Sequence, residues 1–151
     1  MKAITLWQPW ASAMVLGLKH NETRSRRTNP TGELTAICAA KKKSAELADA
    51  LMVLCEYHPE IANAFAMLDF EDLPFGCVVA VGRFIASGNV EMWDVKKLTP
   101  IERALGNYSP GRFVLRFQDI VALKTPVPVT GRQGWFNLPP EVEAAVRKQL
   151  L

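Results

Sequence analysis

The chain has 151 residues, about the length of a single domain, and 1–151 is read as one. Hydrophobic residues make up 49% and charged residues 22%, near the globular norm, which excludes wholesale disorder. The net charge of +3 hides a segregation: residues 19–43 carry seven bases against two acids, 44–82 carry seven acids and no base, and 83–135 carry eight bases against four acids. Two basic segments that meet in space would form a positive cleft, which attracts phosphates; the same pattern also suits a merely solvated surface.

Cys38, Cys55 and Cys77 are odd in number and widely spaced, with no C-x-x-C pair, so neither a disulfide framework nor a cysteine zinc site is expected. A reducing cytoplasm is the simplest compartment. No apolar run approaches the ~20 residues that span a bilayer, so no membrane association is expected. The apolar start is cut short by Gln8-Pro9 before it reaches the ~7–15 residues of a secretory core.

In chain order, residues 2–6 read as a short strand and 9–16 as a short helix, with Pro9 suited to the first helical position and Gly17 to a left-handed stop. Residues 33–39 have strand character. Ser44 is the expected N-cap of a helix through Glu56, with Leu47, Leu51, Leu54 and Cys55 on one face. Pro59 opens a second helix aligning Ile61, Phe65 and Leu68. Residues 76–87 form a valine-rich strand with a bulge at Gly82. Thr99 and Glu102 have capping-box spacing. Along 112–123, Phe113, Leu115, Phe117 and Val121 point one way, and Arg112, Arg116 and Gln118 the other. Pro126 and Pro128 limit Val127 to an edge or a turn. Pro139-Pro140 opens a last helix with Val142 and Val146 inward. The order of elements predicts an α+β fold with a small curled sheet.

The chemistry concentrates in Gly17-Leu18-Lys19-His20-Asn21-Glu22-Thr23-Arg24. If extended, this stretch puts Lys19, Asn21 and Thr23 on one face and His20, Glu22 and Arg24 on the other, unless local turns merge them. Lys19 offers a point charge and Arg24 a fork, both suited to phosphate or carboxylate. Glu22 could hold either base or accept a proton. On these eight residues alone, a Glu22–Arg24 ion pair organising a turn explains them as well.

Gly17, Lys19, Glu22 and Arg24 match the G-x-K-x-x-E-x-R signature of the ASCH (activating signal cointegrator homology) domain, which the chain resembles. Gln8-Pro9-Trp10-Ala11-Ser12 is similar to the segment that opens family members of the cointegrator type. Ala39-Ala40-Lys41-Lys42, Pro74-Phe75-Gly76-Cys77 and Gly134-Trp135 with Leu138 resemble three later family segments, in order. The resemblance implies a PUA-like fold, a small β-barrel flanked by short helices. It also implies a role in RNA metabolism, with a ligand site near Gln8, Trp10, Ser12, Lys19, Glu22, Arg24 and Lys41. A base stacked on an aromatic face, an amide on a base edge and cations on phosphates would make such a site. Trp7, in a strand, reads as core, whereas Trp10 and Gln8 sit at a turn and suit a site.

Enzymatic activity is left open. Small relatives that hydrolyse acetylated cytidine have threonine where this chain has Glu22, so an amidohydrolase of that kind lacks its nucleophile. A ribonuclease would use Lys19 and Arg24 to stabilise the phosphorane, with Lys41 able to replace either, and Glu22 as general base. His20 falls at a variable place in the motif, and His58 reads as exposed. The acids Glu60, Asp69, Glu71 and Asp72 read as a solvated face, and no metal or cofactor is expected. Single-stranded RNA binding is the leading expectation; hydrolysis of RNA or a modified nucleoside and a protein-binding adaptor role are the alternatives.

Overall fold

A computed structural model of the chain describes residues 1–66 and 68–151. The elements are β1 (Lys2–Leu6), α1 (Trp10–Val15), β2 (Asn21–Arg24), β3 (Leu34–Ala39), α2 (Ala45–Tyr57), α3 (Pro59–Phe65), β4 (Cys77–Asn89), α4 (Pro100–Ala104), β5 (Phe113–Pro128), β6 (Phe136–Asn137) and α5 (Pro140–Lys148). The six strands form one mixed sheet in the order β2-β5-β4-β3-β1-β6, so the fold is α+β. Among the described residues only β1 and β3 run parallel, and α1 and β2 supply the long crossover that a parallel pair requires.

The sheet curls without closing through backbone pairing: β2 and β6 remain its edges. The β4–β5 ladder shifts register three times, including at Gly82, and each bulge adds twist. Arg83 pairs with Gln118 and Val81 with Val121, so Asp119 and Ile120 together oppose Gly82 alone. The extra residue flips the alternation: Ile120 packs inward, while Val121, expected inward with Phe117, is 51% exposed. Asp119 takes φ +52° at this point. The Pro126–Pro128 segment continues β5, pairing Pro128 with Cys77 at the end of the ladder.

The apolar core has three parts. Ile4, Leu6, Phe84, Leu115 and Phe117 fill the inside of the curl. Ala36, Val78, Val142 and Val146 lie between the opposite face of the sheet and α5. Leu47, Leu51, Ile61 and Phe65 hold α2 and α3 together. Each large buried side chain contributes about 1.5–3 kcal/mol of transfer free energy. Ser44 caps α2 by accepting from the Leu47 N–H, as its place in the sequence predicts. The helix from Pro59 stops at Phe65, one turn short of the expected alignment, and leaves Leu68 39% exposed. All seven acids of residues 44–82 are exposed on this side of the molecule.

Candidate functional site

The motif is shaped by a turn followed by a short edge strand. Gly17, at φ +75°, ends α1, and the N–H groups of Leu18 and Lys19 both donate to the Ala13 carbonyl. The chain then runs along β5, with Glu22 opposite Leu115 and Arg24 opposite Phe113. This places Glu22 and Arg24 on the inner face of the curl, beside the aromatic core.

Lys19, Glu22 and Arg24 are brought together in a row that runs from the interior to the surface. Lys19 has no exposed surface. Its Nζ donates to the carbonyls of Asn21 at 2.5 Å and Leu105 at 2.8 Å, and lies 3.6 Å from Glu22 Oε1. The two carbonyls take two of the three N–H bonds of the ammonium, and the nearby carboxylate balances its charge. Glu22 Oε1 accepts from the Thr23 N–H at 3.1 Å, and Oε2 accepts from Arg24 Nη2 at 3.3 Å. The same Nη2 donates to the Thr5 carbonyl at 2.7 Å. The Glu22 and Arg24 side chains are 14% and 29% exposed, so these two reach the surface while Lys19 supports them from behind.

The other face of β2 carries a second polar network. Asn21 is fully buried; its Oδ1 accepts from Arg116 at 3.3 Å and its Nδ2 donates to the Tyr108 hydroxyl at 3.3 Å. Burial pushes the Tyr108 hydroxyl up to about 12; the Asn21 bond opposes that shift and the negative charge of Glu102 adds to it. Thr23 accepts from the Asn107 N–H through its hydroxyl and from Arg112 through its carbonyl.

Glu102 is the residue whose task its sequence position conceals. Thr99 caps α4 by accepting the Glu102 N–H at 3.1 Å. The buried Glu102 carboxylate does not reach back to Thr99. Its Oε1 accepts the N–H groups of His20 at 2.9 Å and Asn21 at 2.7 Å, and its Oε2 lies 3.2 Å from His20 Nδ1. Capping-box spacing signalled a helix start but gave no sign that the acid would clamp a turn 82 residues earlier.

The remaining candidates spread out. Gln8 is fully buried with both amide ends engaged: Oε1 accepts the Ser12 N–H at 2.9 Å and Nε2 donates to the Pro74 carbonyl at 2.8 Å. Ser12, itself buried, borders an apolar cavity of about 130 Å³. Trp10 is part-buried against two of the core clusters. His58 is half-buried between α2 and α3, where an exposed place was expected. Trp7 corrects the expectation of a core residue: it is 51% exposed, one position past the end of β1. There Lys42 Nζ stands 4.1 Å from its ring centroid. The parallel register explains the meeting, because Leu6 pairs with Ala39 and the two chains leave the sheet at the same end. Trp135 stacks on Phe84 at 5.2 Å and donates from its indole to Thr28. Among the described residues, no three His, Cys, Asp or Glu side chains gather as a metal site, and no helix is long and apolar enough to cross a membrane.

The curled mixed α+β sheet shares its fold with solved ASCH domain proteins. The crystal structure of the ASCH protein from Zymomonas mobilis superimposes with a TM-score of 0.57 at 16% identity, covering 97% of this chain and 93% of that one. Serine-to-alanine and tyrosine-to-phenylalanine variants of the same Zymomonas mobilis protein match with the same TM-score at 15% and 16% identity, covering 97% of this chain and 94% and 96% of theirs. No family model and no curated protein sequence matches the chain.

Proposed function

We propose that this protein binds single-stranded RNA at the rim formed by Trp7, Lys42 and the outer end of the Lys19–Glu22–Arg24 row. The supporting observation is the exposed Trp7 ring, with the Lys42 ammonium over one of its faces, two residues from the carbonyl that Arg24 holds. An exposed indole offers a stacking platform to any base, and neighbouring cations follow the backbone. Arg24 engages the protein through Nη2. Its Nε and Nη1 donors have no protein partner among the described residues and can meet a phosphate.

Hydrolysis is the second reading, favoured by the place of Glu22 at the mouth of the curl between two cations. Glu22 would act as general base, Arg24 would stabilise the phosphorane, and Lys19 would hold Glu22 rather than touch the substrate. The acylated-cytidine reading gains no support, because the Thr23 hydroxyl lies on the other face of β2 and accepts the Asn107 N–H. Fluorescence titration with a short single-stranded RNA over a range of salt tests the main reading. If about three phosphates are neutralised, affinity falls about 20-fold between about 50 and 200 mM salt, because counterions are released. Binding that ignores salt, or that is the same in Trp7→Ala and Lys42→Ala, would reject it. Cleavage of labelled RNA that is lost in Glu22→Gln would add hydrolysis.

A further inference from the structure

A second site lies on the face of the sheet that carries α5. A cavity of about 390 Å³ opens between β6, the first turn of α5 and the end of β5. That is within the ~300–1,000 Å³ range of small-molecule sites. Lys41, Arg132 and Glu141 line it and are exposed, Asn137 borders it, and Phe136 and Val142 contribute apolar surface. Val142 belongs to the core cluster under α5, whereas Glu22 and Arg24 stand beside Leu115 and Phe113 on the opposite face. The cavity therefore opens on the opposite face of the sheet from Glu22 and Arg24.

The two cations here are uncommitted. Arg24, Arg83, Arg112, Arg116 and Arg147 each donate to a carbonyl or side-chain oxygen of the protein. Among the described residues neither Lys41 nor Arg132 makes an ion pair. The course of Lys41 is also set. Its stem crosses Gly76 so closely that a Cβ there would come within 2.7 Å of Lys41 Cγ, and Gly76 holds φ +66°. A glycine in the Pro74-Phe75-Gly76 segment thus makes room for the lysine to lie along the cavity edge.

We propose that this cavity binds a nucleoside monophosphate. Lys41 and Arg132 receive the phosphate, a point charge beside a fork. Glu141 argues against a plain inorganic anion, which its carboxylate repels. It suits instead a ligand whose other end carries hydroxyl or amine donors. The Asn137 amide offers a donor and an acceptor to a base edge, and the apolar surface of Phe136 and Val142 takes the ring. The volume suits one nucleotide, either free or at the phosphorylated end of an RNA.

Calorimetric titration of the whole chain with each nucleoside 5′-monophosphate, the matching nucleosides and inorganic phosphate tests this. At least one monophosphate is expected to bind at least tenfold more tightly than its nucleoside or phosphate alone. Arg132→Ala and Lys41→Ala each weaken it about tenfold or more, the loss of a charge-assisted hydrogen bond. Both side chains are exposed, so neither change should compromise folding, which a thermal melt verifies. Glu141→Gln lets inorganic phosphate bind several-fold more tightly. Preference for 5′-phosphorylated RNA over the mononucleotide, lost in Arg132→Ala, would support the proposal with the RNA end as source. No binding of any monophosphate at millimolar concentration, phosphate alone binding as well as the nucleotide, or affinity unchanged in both Ala variants would overturn it. Arg132→Ala leaves salt-sensitive RNA binding at the Trp7 rim in place, so failure of this proposal and failure of that reading are separable.

Discussion

Arg24 on β2 donates to the Thr5 carbonyl on β1 at 2.7 Å, and so joins one edge strand of the sheet to the strand next to the other edge. The Leu6 carbonyl accepts the Ala40 N–H on the β3 side, so the Thr5 carbonyl, one residue earlier, faces the opposite way. β6 pairs only with Lys2 and Ala3 and does not reach it. A guanidinium thus satisfies a strand carbonyl that a further strand would otherwise take. Glu22 steadies that guanidinium and Lys19 steadies Glu22. The row of charges is a clasp across the seam of the curl before it is anything else.

Arg24→Ala should therefore loosen the seam. A hydrogen bond from a charged donor contributes about 1.5–3 kcal/mol, and a loss of that size is expected in urea unfolding. Arg24→Lys should recover only part of it, because an ammonium lacks the fork. A midpoint unchanged in Arg24→Ala would show that the seam is held by other contacts.

Lys19 separates a supporting role from a contacting one. Its burial means that Lys19→Met leaves two carbonyls without a donor and Glu22 without its inner cation. Breaking a buried pair in this way costs about 3–5 kcal/mol. The double variant Lys19→Met/Glu22→Gln should be more stable than Lys19→Met alone, because the Glu22 oxygen that faced Lys19, which Arg24 does not hold, no longer carries charge without a cation. Thermal melts of the three proteins measure this. A Lys19→Met protein as stable as the parent would mean that the ammonium is not the inner anchor of the clasp.

Local chemistry was legible where one element decides it, and lost where distant elements meet. The Ser44 cap, the Gly82 bulge and the helix starting at Pro140 follow from residues a few positions apart. The convergence of Lys19, Glu22 and Arg24 was legible because a single turn makes it. Trp7 was misplaced because alternation in β1 says nothing about where the strand ends. Val121 was misplaced because a bulge shifts every later residue by one. Gln8 stands at a turn that suits ligand contact, but its buried amide ties the start of α1 to the Pro74 carbonyl, 66 residues away. The partners of Glu102 lie in another element altogether, and no local pattern encodes that pairing.

Tyr108 makes the second network visible to pH. Its hydroxyl is raised to about 12 in the folded protein, against about 10 in an unfolded chain. The raised value means that its contribution to stability is complete below about pH 10 and is lost as pH rises towards about 12, where the unfolded chain has already given up the proton. Urea midpoints should fall across that window, and Tyr108→Phe should flatten the fall while costing stability at neutral pH through the lost Asn21 bond. An alkaline titration of tyrosinate absorbance that shows no component near 12 would contradict the burial of this hydroxyl.

Trp7 carries the most direct consequence of the functional reading. It is the one exposed residue among the four tryptophans, so its removal should cost little stability, within about 0.5 kcal/mol. Stacking of a base on an aromatic face contributes about 1–3 kcal/mol, so Trp7→Ala should weaken RNA binding by about 5- to 150-fold. Lys42→Ala removes the neighbouring ammonium and should weaken it less, while lowering the salt dependence by about the share of one phosphate. The intrinsic fluorescence change on adding RNA should disappear in Trp7→Ala, because the other three indoles are half-buried against the core or in loops. If RNA binds the Trp7→Ala protein with undiminished affinity and the same fluorescence change, the strand passes elsewhere, and the end of β1 is not its platform.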